Sequence, residues 1–213
     1  MLISIFFVLF RLKSIHYVVK TEPDFFKIQH KNVQPDIGTL LISEPFSKDA
    51  YFKRSIVLLT LNNTEGAVGF ILNKQVEIPL SDLFEEDFDF KGTVSIGGPV
   101  SIDRIDFLHK LGHIIPDSKH VIDDIYWGGD FNTVINLLRS RSLNENQIRF
   151  FIGYSGWSKG QLDKEIDNDY WLVTKPEADT IMTIDKDYWK TTLKRLGKKY
   201  TIWLNVPEDP VLN

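Results

Sequence analysis

Residues 54–72 hold two apolar runs, Arg54–Leu61 (RSIVLLTL) and Ala67–Leu72 (AVGFIL), separated by Asn62-Asn63-Thr64-Glu65-Gly66. Val, Ile and Thr are stiff at the first side-chain torsion and pack well on a pleated surface. Asn and Gly supply the backbone freedom that a chain reversal needs. The segment therefore predicts a β-hairpin, which commits this part of the chain to an antiparallel sheet. Gly69, inside the return strand, predicts a bulge or a close backbone approach.

Other runs extend the pattern. Thr39–Ser43, Thr93–Ile96, Ile105–His109, Val121–Tyr126, Gln147–Tyr154, Trp171–Thr174 and Tyr200–Val206 read as strands. Between them lie helical patterns. Pro79–Phe84 is a short helix with Ser81 as its N-cap. Asp130 caps a helix whose Phe131, Val134, Ile135, Leu137 and Leu138 share a face. Lys159–Asp167 carries Leu162 and Ile166 at inward i,i+4 spacing, and a last helix runs from a cap at Asp185 to Gly197. Strands outnumber helices and do not alternate regularly with them. The fold class is therefore α+β, one domain built on a mixed sheet.

The compact part starts near Pro35-Asp36-Ile37-Gly38. Residues 1–34 read as a weakly ordered extension. Its apolar run MLISIFFVLF is too short to span a bilayer, which needs about 20 residues. Its charges follow the run, unlike those of a secretory signal. The chain contains no cysteine, which removes disulfides and thiolate chemistry and suits a cytoplasmic location. A net charge of −4 gives no basic footprint over the whole surface, so sequence-specific DNA binding is not expected. A local basic stretch does exist at Lys186, Lys190, Lys194, Arg195, Lys198 and Lys199. It reads as a solvated helix face, or as a contact for phosphate or, weakly, for nucleic acid.

The ordered motifs carry more information than the totals. They are Gly38-Thr39-Leu40-Leu41-Ile42 with Glu44-Pro45, Arg54-Ser55-Ile56-Val57-Leu58-Leu59, Gly66-Ala67-Val68-Gly69 with Leu72-Asn73-Lys74, and Gly97-Gly98-Pro99-Val100. Then follow Gly153-Tyr154-Ser155-Gly156-Trp157, Gly160-Gln161-Leu162, Glu165-Ile166, Trp171-Leu172 and the terminal Asp209-Pro210-Val211-Leu212-Asn213. In this order the set resembles the YqgE/AlgH family over about residues 36–213. The resemblance implies a bifurcated mixed sheet, partly rolled into a barrel and surrounded by helices. It implies no reaction and no cofactor. Some members are described as transcriptional regulators, from a genetic link to alginate regulation.

Gly153-Tyr154-Ser155-Gly156-Trp157 also invites comparison with the nucleophile elbow of serine hydrolases. Two things oppose it. The elbow wants glycine where this chain has Trp157. Many members of the resembled family carry alanine in place of Ser155, and a nucleophile cannot be exchanged for a methyl group. The segment is expected to be a strand-to-helix turn with Trp157 as a packed anchor, or to offer backbone N–H groups near Lys159 to an anion.

A ligand site is expected where Gly97-Gly98-Pro99 and Gly153–Gln161 converge with Arg54, Asn73 and Arg104 on one cleft, because loops at strand ends gather function. Its candidate residues are Arg54, Asn73, Gly97, Gly98, Pro99, Arg104, Tyr154, Gly156, Trp157, Gln161 and Glu165. Glu44 or Glu165 would pair with Arg54 if its guanidinium is buried. His109 and His113, with Asp106, Asp123 and Asp124, lack a standard metal-ligand spacing, and no metal or cofactor is expected. Function is then regulation through a small ligand or a protein partner, without catalysis. An enzyme with its cleft at the glycine-rich turns is the alternative.

Overall fold

A computed structural model describes residues 33–207, apart from Lys48, Glu85, Asp87, Thr93, Ala178 and Asp179. The expected extension lies almost wholly outside the described residues. Val33, at its end, packs against the apolar cluster around Leu41 and Trp157.

The hairpin forms. Strand β1 (Leu40–Ser43) lies beside β2 (Ile56–Asn63), which turns back into β3 (Gly66–Ile71). The register shifts between Leu59 and Leu61, so the bulge sits at Thr60, opposite the Val68–Gly69 step. A Cβ on Gly69 would stand 2.6 Å from the Leu58 carbonyl oxygen, so this strand crossing needs glycine.

Further along come β4 (Gln75–Val76), helix α1 (Leu80–Phe84), β5 (Val94–Ile96) and β6 (Val100–His109). Then follow β7 (Lys119–Ile122), β8 (Ile125–Trp127), α2 (Phe131–Arg139), β9 (Ile148–Ser158), α3 (Gln161–Asp167) and β10 (Trp171–Thr174). Helix α4 (Tyr188–Arg195), a 3-10 turn (Lys198–Tyr200) and α5 (Thr201–Leu204) close the described chain.

The sheet order is β10-β1-β2-β3-β9-β6-β8-β7, and β9 is its hinge. Its second half pairs antiparallel with β3, from Ser155↔Gly69 to Ser158↔Gly66. Its first half pairs parallel with β5, from Phe150↔Val94 to Ile152↔Ile96. β6 runs antiparallel along it, from His109↔Ile148 to Val100↔Tyr154. The sheet is therefore mixed and forked, as the resemblance implies. Among the described residues no ladder joins β10 to β7, so it is not closed into a barrel.

Both faces of the hairpin are covered, which explains its unbroken apolar runs. Ile56 and Leu58 point to one side, where Trp189, Leu193 and Trp203 cover them. Val57 and Leu59 point to the other, where Trp157, Leu162 and Trp171 lie. A third cluster joins Phe107, Phe150, Val134 and Leu138 beneath α2. Burying each such large apolar side chain contributes about 1.5–3 kcal/mol.

Arg149 passes through the interior, almost fully buried. Its guanidinium donates to the carbonyls of Leu72 (2.8 Å), Ile181 (2.6 Å) and Thr183 (3.4 Å) and to Ser95 Oγ (3.2 Å). The cation also lies over the Phe151 ring, 5.2 Å from its centroid.

Several expected elements differ. Val121–Tyr126 is not one strand but the β7–β8 hairpin, reversed at Asp123 with φ 48. Aspartate tolerates that left-handed conformation better than most residues. Tyr200–Val206 is helical, and Trp203 is its buried anchor, set edge-on to Tyr200. Ser81 lies inside α1 rather than capping it. Asp187, not Asp185, occupies the cap position of α4. The Asp185 carboxylate supports that turn by accepting from the Asp187 N–H at 2.8 Å.

Candidate functional site

The turn that feeds β2 is tightly tied. Asp49 accepts from the N–H groups of Tyr51 (2.7 Å) and Phe52 (3.2 Å) through its carboxylate. Its main-chain carbonyl accepts from Lys53 N–H at 2.8 Å. Arg54 then takes the left-handed conformation, φ 53, an arrangement uncommon for a residue with a Cβ. Asn73 holds it there. Its Oδ1 accepts from Ile56 N–H at 2.9 Å, and its Nδ2 donates to the Arg54 carbonyl at 2.9 Å. Both ends of the amide bond main chain, so Asn73 shapes the turn.

The Arg54 side chain is aimed by its surroundings. Nη2 donates to the Val206 carbonyl, and the guanidinium carbon lies 5.2 Å from the centroid of the Trp189 ring. Trp189 is itself fixed, donating from Nε1 to the Ser43 carbonyl at 3.0 Å. Arg54 and Asn73 line a cleft of about 310 Å³. Lys53 and Lys74 also line it, as do Lys186, Asp187 and Lys190 at the start of α4. Lys74 Nζ donates to the Ala50 carbonyl at 2.8 Å. Partial burial pushes the Lys74 ammonium below the usual lysine range; Asp49 opposes this, and neighbouring Lys53 adds to it.

The remaining expected site residues fall elsewhere. Ser155 is fully buried in the middle of β9 and donates from Oγ to the Gly97 carbonyl at 3.0 Å. The segment Gly153–Ser158 is strand, and the reversal comes later, at Gly160 with φ 69. Gly97 and Gly98 lie flat against β9. The Gly97 N–H donates to Ile152 O at 2.9 Å, and a Cβ on Gly98 would stand 2.3 Å from the Tyr154 carbonyl carbon. Close main-chain packing accounts for this glycine pair. Pro99 is exposed, and Tyr154 and Gly156 are half-buried on β9.

Trp157, Gln161 and Glu165 form a separate cluster. The Glu165 carboxylate accepts from the indoles of Trp157 and Trp171, each at 2.8 Å, and from Gln161 Nε2 at 2.9 Å. It anchors α3 to the sheet and is committed there rather than to Arg54. Glu44 accepts from Phe46 N–H at 2.6 Å. Arg104 grips Asp106 at 2.8 and 2.9 Å, beside Trp127, in a second cleft of about 290 Å³ with a different lining. The residues of the expected single cleft thus fall in four places: Arg54 and Asn73 line one cleft, Arg104 lines another, Trp157, Gln161 and Glu165 share a cluster, and the Gly97–Gly98 pair packs on β9.

His109 ends a strand, not a helix, and among the described residues no group of His, Cys, Asp or Glu could hold a metal ion. The sequence reading places Lys186 and Lys190 on a basic helix face or anion contact, apart from Arg54, and does not include Lys53 and Lys74 among the site residues. The available signal was adjacency, because each of those two lysines neighbours a flagged residue, Arg54 or Asn73.

The chain's relatives share its frame. Proteins named UPF0301 protein from Parabacteroides distasonis and Bacteroides thetaiotaomicron are 41% and 40% identical to it, over 89% and 90% of this chain and 98% of each relative. The solution structure of the AlgH protein from Pseudomonas aeruginosa is similar at TM-score 0.65 and 21% identity, covering 84% of this chain and 98% of that one. A Corynebacterium diphtheriae crystal structure is similar at TM-score 0.65 and 17% identity, covering 83% and 95%. A family model described as AlgH-like matches residues 40–201. The match takes in every strand and four of the five helices of the frame described above, and with these relatives it establishes that the chain belongs to the AlgH-like family.

Proposed function

We propose that this AlgH-like protein acts by binding, not by catalysis, as a regulator that responds to a small ligand held in the cleft at Arg54. The observation that carries this reading is the cleft's construction. A clamped turn, a stacked guanidinium and a fixed indole line it together with lysine side chains, and preorganisation of that kind favours binding. The rival hydrolase reading rests on a hydroxyl that is sealed inside the sheet. A regulatory effect on transcription would then pass through the ligand-bound protein and a partner, since the net charge of −4 gives no general attraction to DNA.

Native mass spectrometry of gently purified protein tests the reading. A co-purifying small molecule that is lost when Lys186 and Lys190 are changed to alanine is the expected result. Labelling of Ser155 by a fluorophosphonate probe, abolished in Ser155→Ala, would sink it in favour of catalysis.

A further inference from the structure

We infer that the cleft beside Arg54 is the docking place of the chain's own segment beyond Val206, which sets Glu208 and Asp209 against the lysines of the lining. The docking stands by itself; its consequence for a ligand rests on the ligand-binding reading above. The first observation is the path of the chain. Trp203 is buried and holds α5 in the core. Three residues on, the Val206 carbonyl accepts from Arg54 Nη2, and Arg54 lines the cleft. Pro207 follows, exposed to solvent. Residues 208–213 lie outside the described residues. A chain spans at most about 3.6 Å per residue, so the Cα atoms of Glu208 and Asp209 stay within about 11 Å of that of Val206 whatever course they take. Both acids are thereby kept beside the cleft.

The second observation is the sequence of the segment. Glu208-Asp209-Pro210-Val211-Leu212-Asn213 carries two acids and no basic residue. Pro210 disfavours a helical Asp209, so the sequence favours a chain that leaves α5 over a further turn of that helix. Asp209-Pro210-Val211-Leu212-Asn213 also closes the ordered set of motifs that carries the family resemblance, and none of the packing described above uses it.

The third observation is charge complementarity. Lys53, Lys74, Lys186 and Lys190 line the cleft with Arg54 and Asp187. These cations are not bare. Lys190 meets Asp187 at 3.1 Å, and Lys74 donates to the Ala50 carbonyl with Asp49 acting on it. Docking does not require an unanswered charge. Carboxylates that join charges already paired extend a network, and networks contribute where isolated surface pairs do not. The tether also holds the segment at an effective concentration on the order of millimolar. A ligand entering the cleft must displace it, which makes the segment a built-in competitor.

Carbodiimide coupling of the purified full chain, followed by peptide mass spectrometry, tests the docking. The reagent activates a carboxylate, a lysine amine in contact attacks it, and an amide forms as the urea leaves. Asp187 with Lys190 at 3.1 Å and Asp124 with Lys110 at 3.3 Å serve as internal controls. Glu208 or Asp209 is expected to couple to Lys53, Lys74, Lys186 or Lys190 within one chain, in yield comparable to the controls. Glu208→Gln/Asp209→Asn should abolish that product. By native mass spectrometry the same variant should retain severalfold more of the co-purifying molecule than the parent. Coupling to the cleft lysines with no co-purified molecule in either protein would support the docking and remove the ligand reading. Coupling of the two acids to Lys198 or Lys199 alone, to a second copy alone, or to nothing while the controls react would overturn the docking.

Discussion

The imidazole of His109 lies inside the protein between Phe107 and Tyr126, at centroid distances of 5.5 and 5.9 Å. Its Nδ1 accepts from Leu111 N–H at 3.1 Å, so the proton sits on Nε2, which donates to the Gly128 carbonyl at 2.8 Å. Protonating Nδ1 would set a donor against a donor. Burial accordingly holds the His109 pKa below the ordinary 6.5, with the Gly128 bond opposing it. A depressed folded-state pKa means that the unfolded chain binds the proton first, so stability falls with falling pH. The loss should begin near pH 6.5 and continue down to the lowered native value. Urea midpoints measured between pH 8 and pH 5 should drop, and the drop should shrink in His109→Gln. An unchanged pH dependence in that variant would show that other groups carry it.

Helix α3 is fastened to the sheet through one carboxylate. Trp157 and Trp171 are nearly buried, and both indoles donate to Glu165. Glu165→Ala should cost about 2–3 kcal/mol, because it leaves buried N–H groups without an acceptor. Glu165→Gln keeps one carbonyl and should cost about 1 kcal/mol. Chemical denaturation followed by tryptophan fluorescence reads both values. Elements with local signals of this kind were legible in the sequence. The 54–72 hairpin announced itself through β-branched runs around Asn and Gly, and α2 through Asp130 and its apolar face. The C-terminal run Tyr200–Val206 misled because its aromatic and β-branched residues favour strands, while Trp203 docking into the core makes it helical. Gly97 and Gly98 misled differently. A glycine required by main-chain packing has the same letter as one required by a ligand. Arg54 and Asn73 were legible as polar residues at strand ends. Their meeting with Lys186 and Lys190, over 110 positions away, depends on where α4 packs, which no local pattern encodes.

Across the whole molecule, Arg149 ties distant segments together. It links β9 to the end of β3, to β5 and to the loop at Ile181–Thr183 that leads towards Lys186. Its partners are three carbonyls and a hydroxyl, with no carboxylate among those bonds. Burial lowers its pKa to about 10, so it remains charged at neutral pH and its desolvation is a standing cost, relieved only as the pH rises past that value. The hydrogen bonds must offset that cost. Arg149→Lys keeps the charge but cannot reach all the acceptors, and should lose about 2–4 kcal/mol of stability in urea denaturation. A smaller loss than about 1 kcal/mol would mean that the guanidinium fork contributes little.

The position of β9 has a consequence for biosynthesis. It is the shared partner of β3, β5 and β6, yet its last residue, Ser158, follows the end of β3 by 87 positions. At about 5–20 residues per second, a nascent chain waits on the order of ten seconds between emergence of those two edges. During that interval Phe70, Val94 and Phe107 have no finished sheet to enter, and the ribosome-bound intermediate is a natural client for holding chaperones.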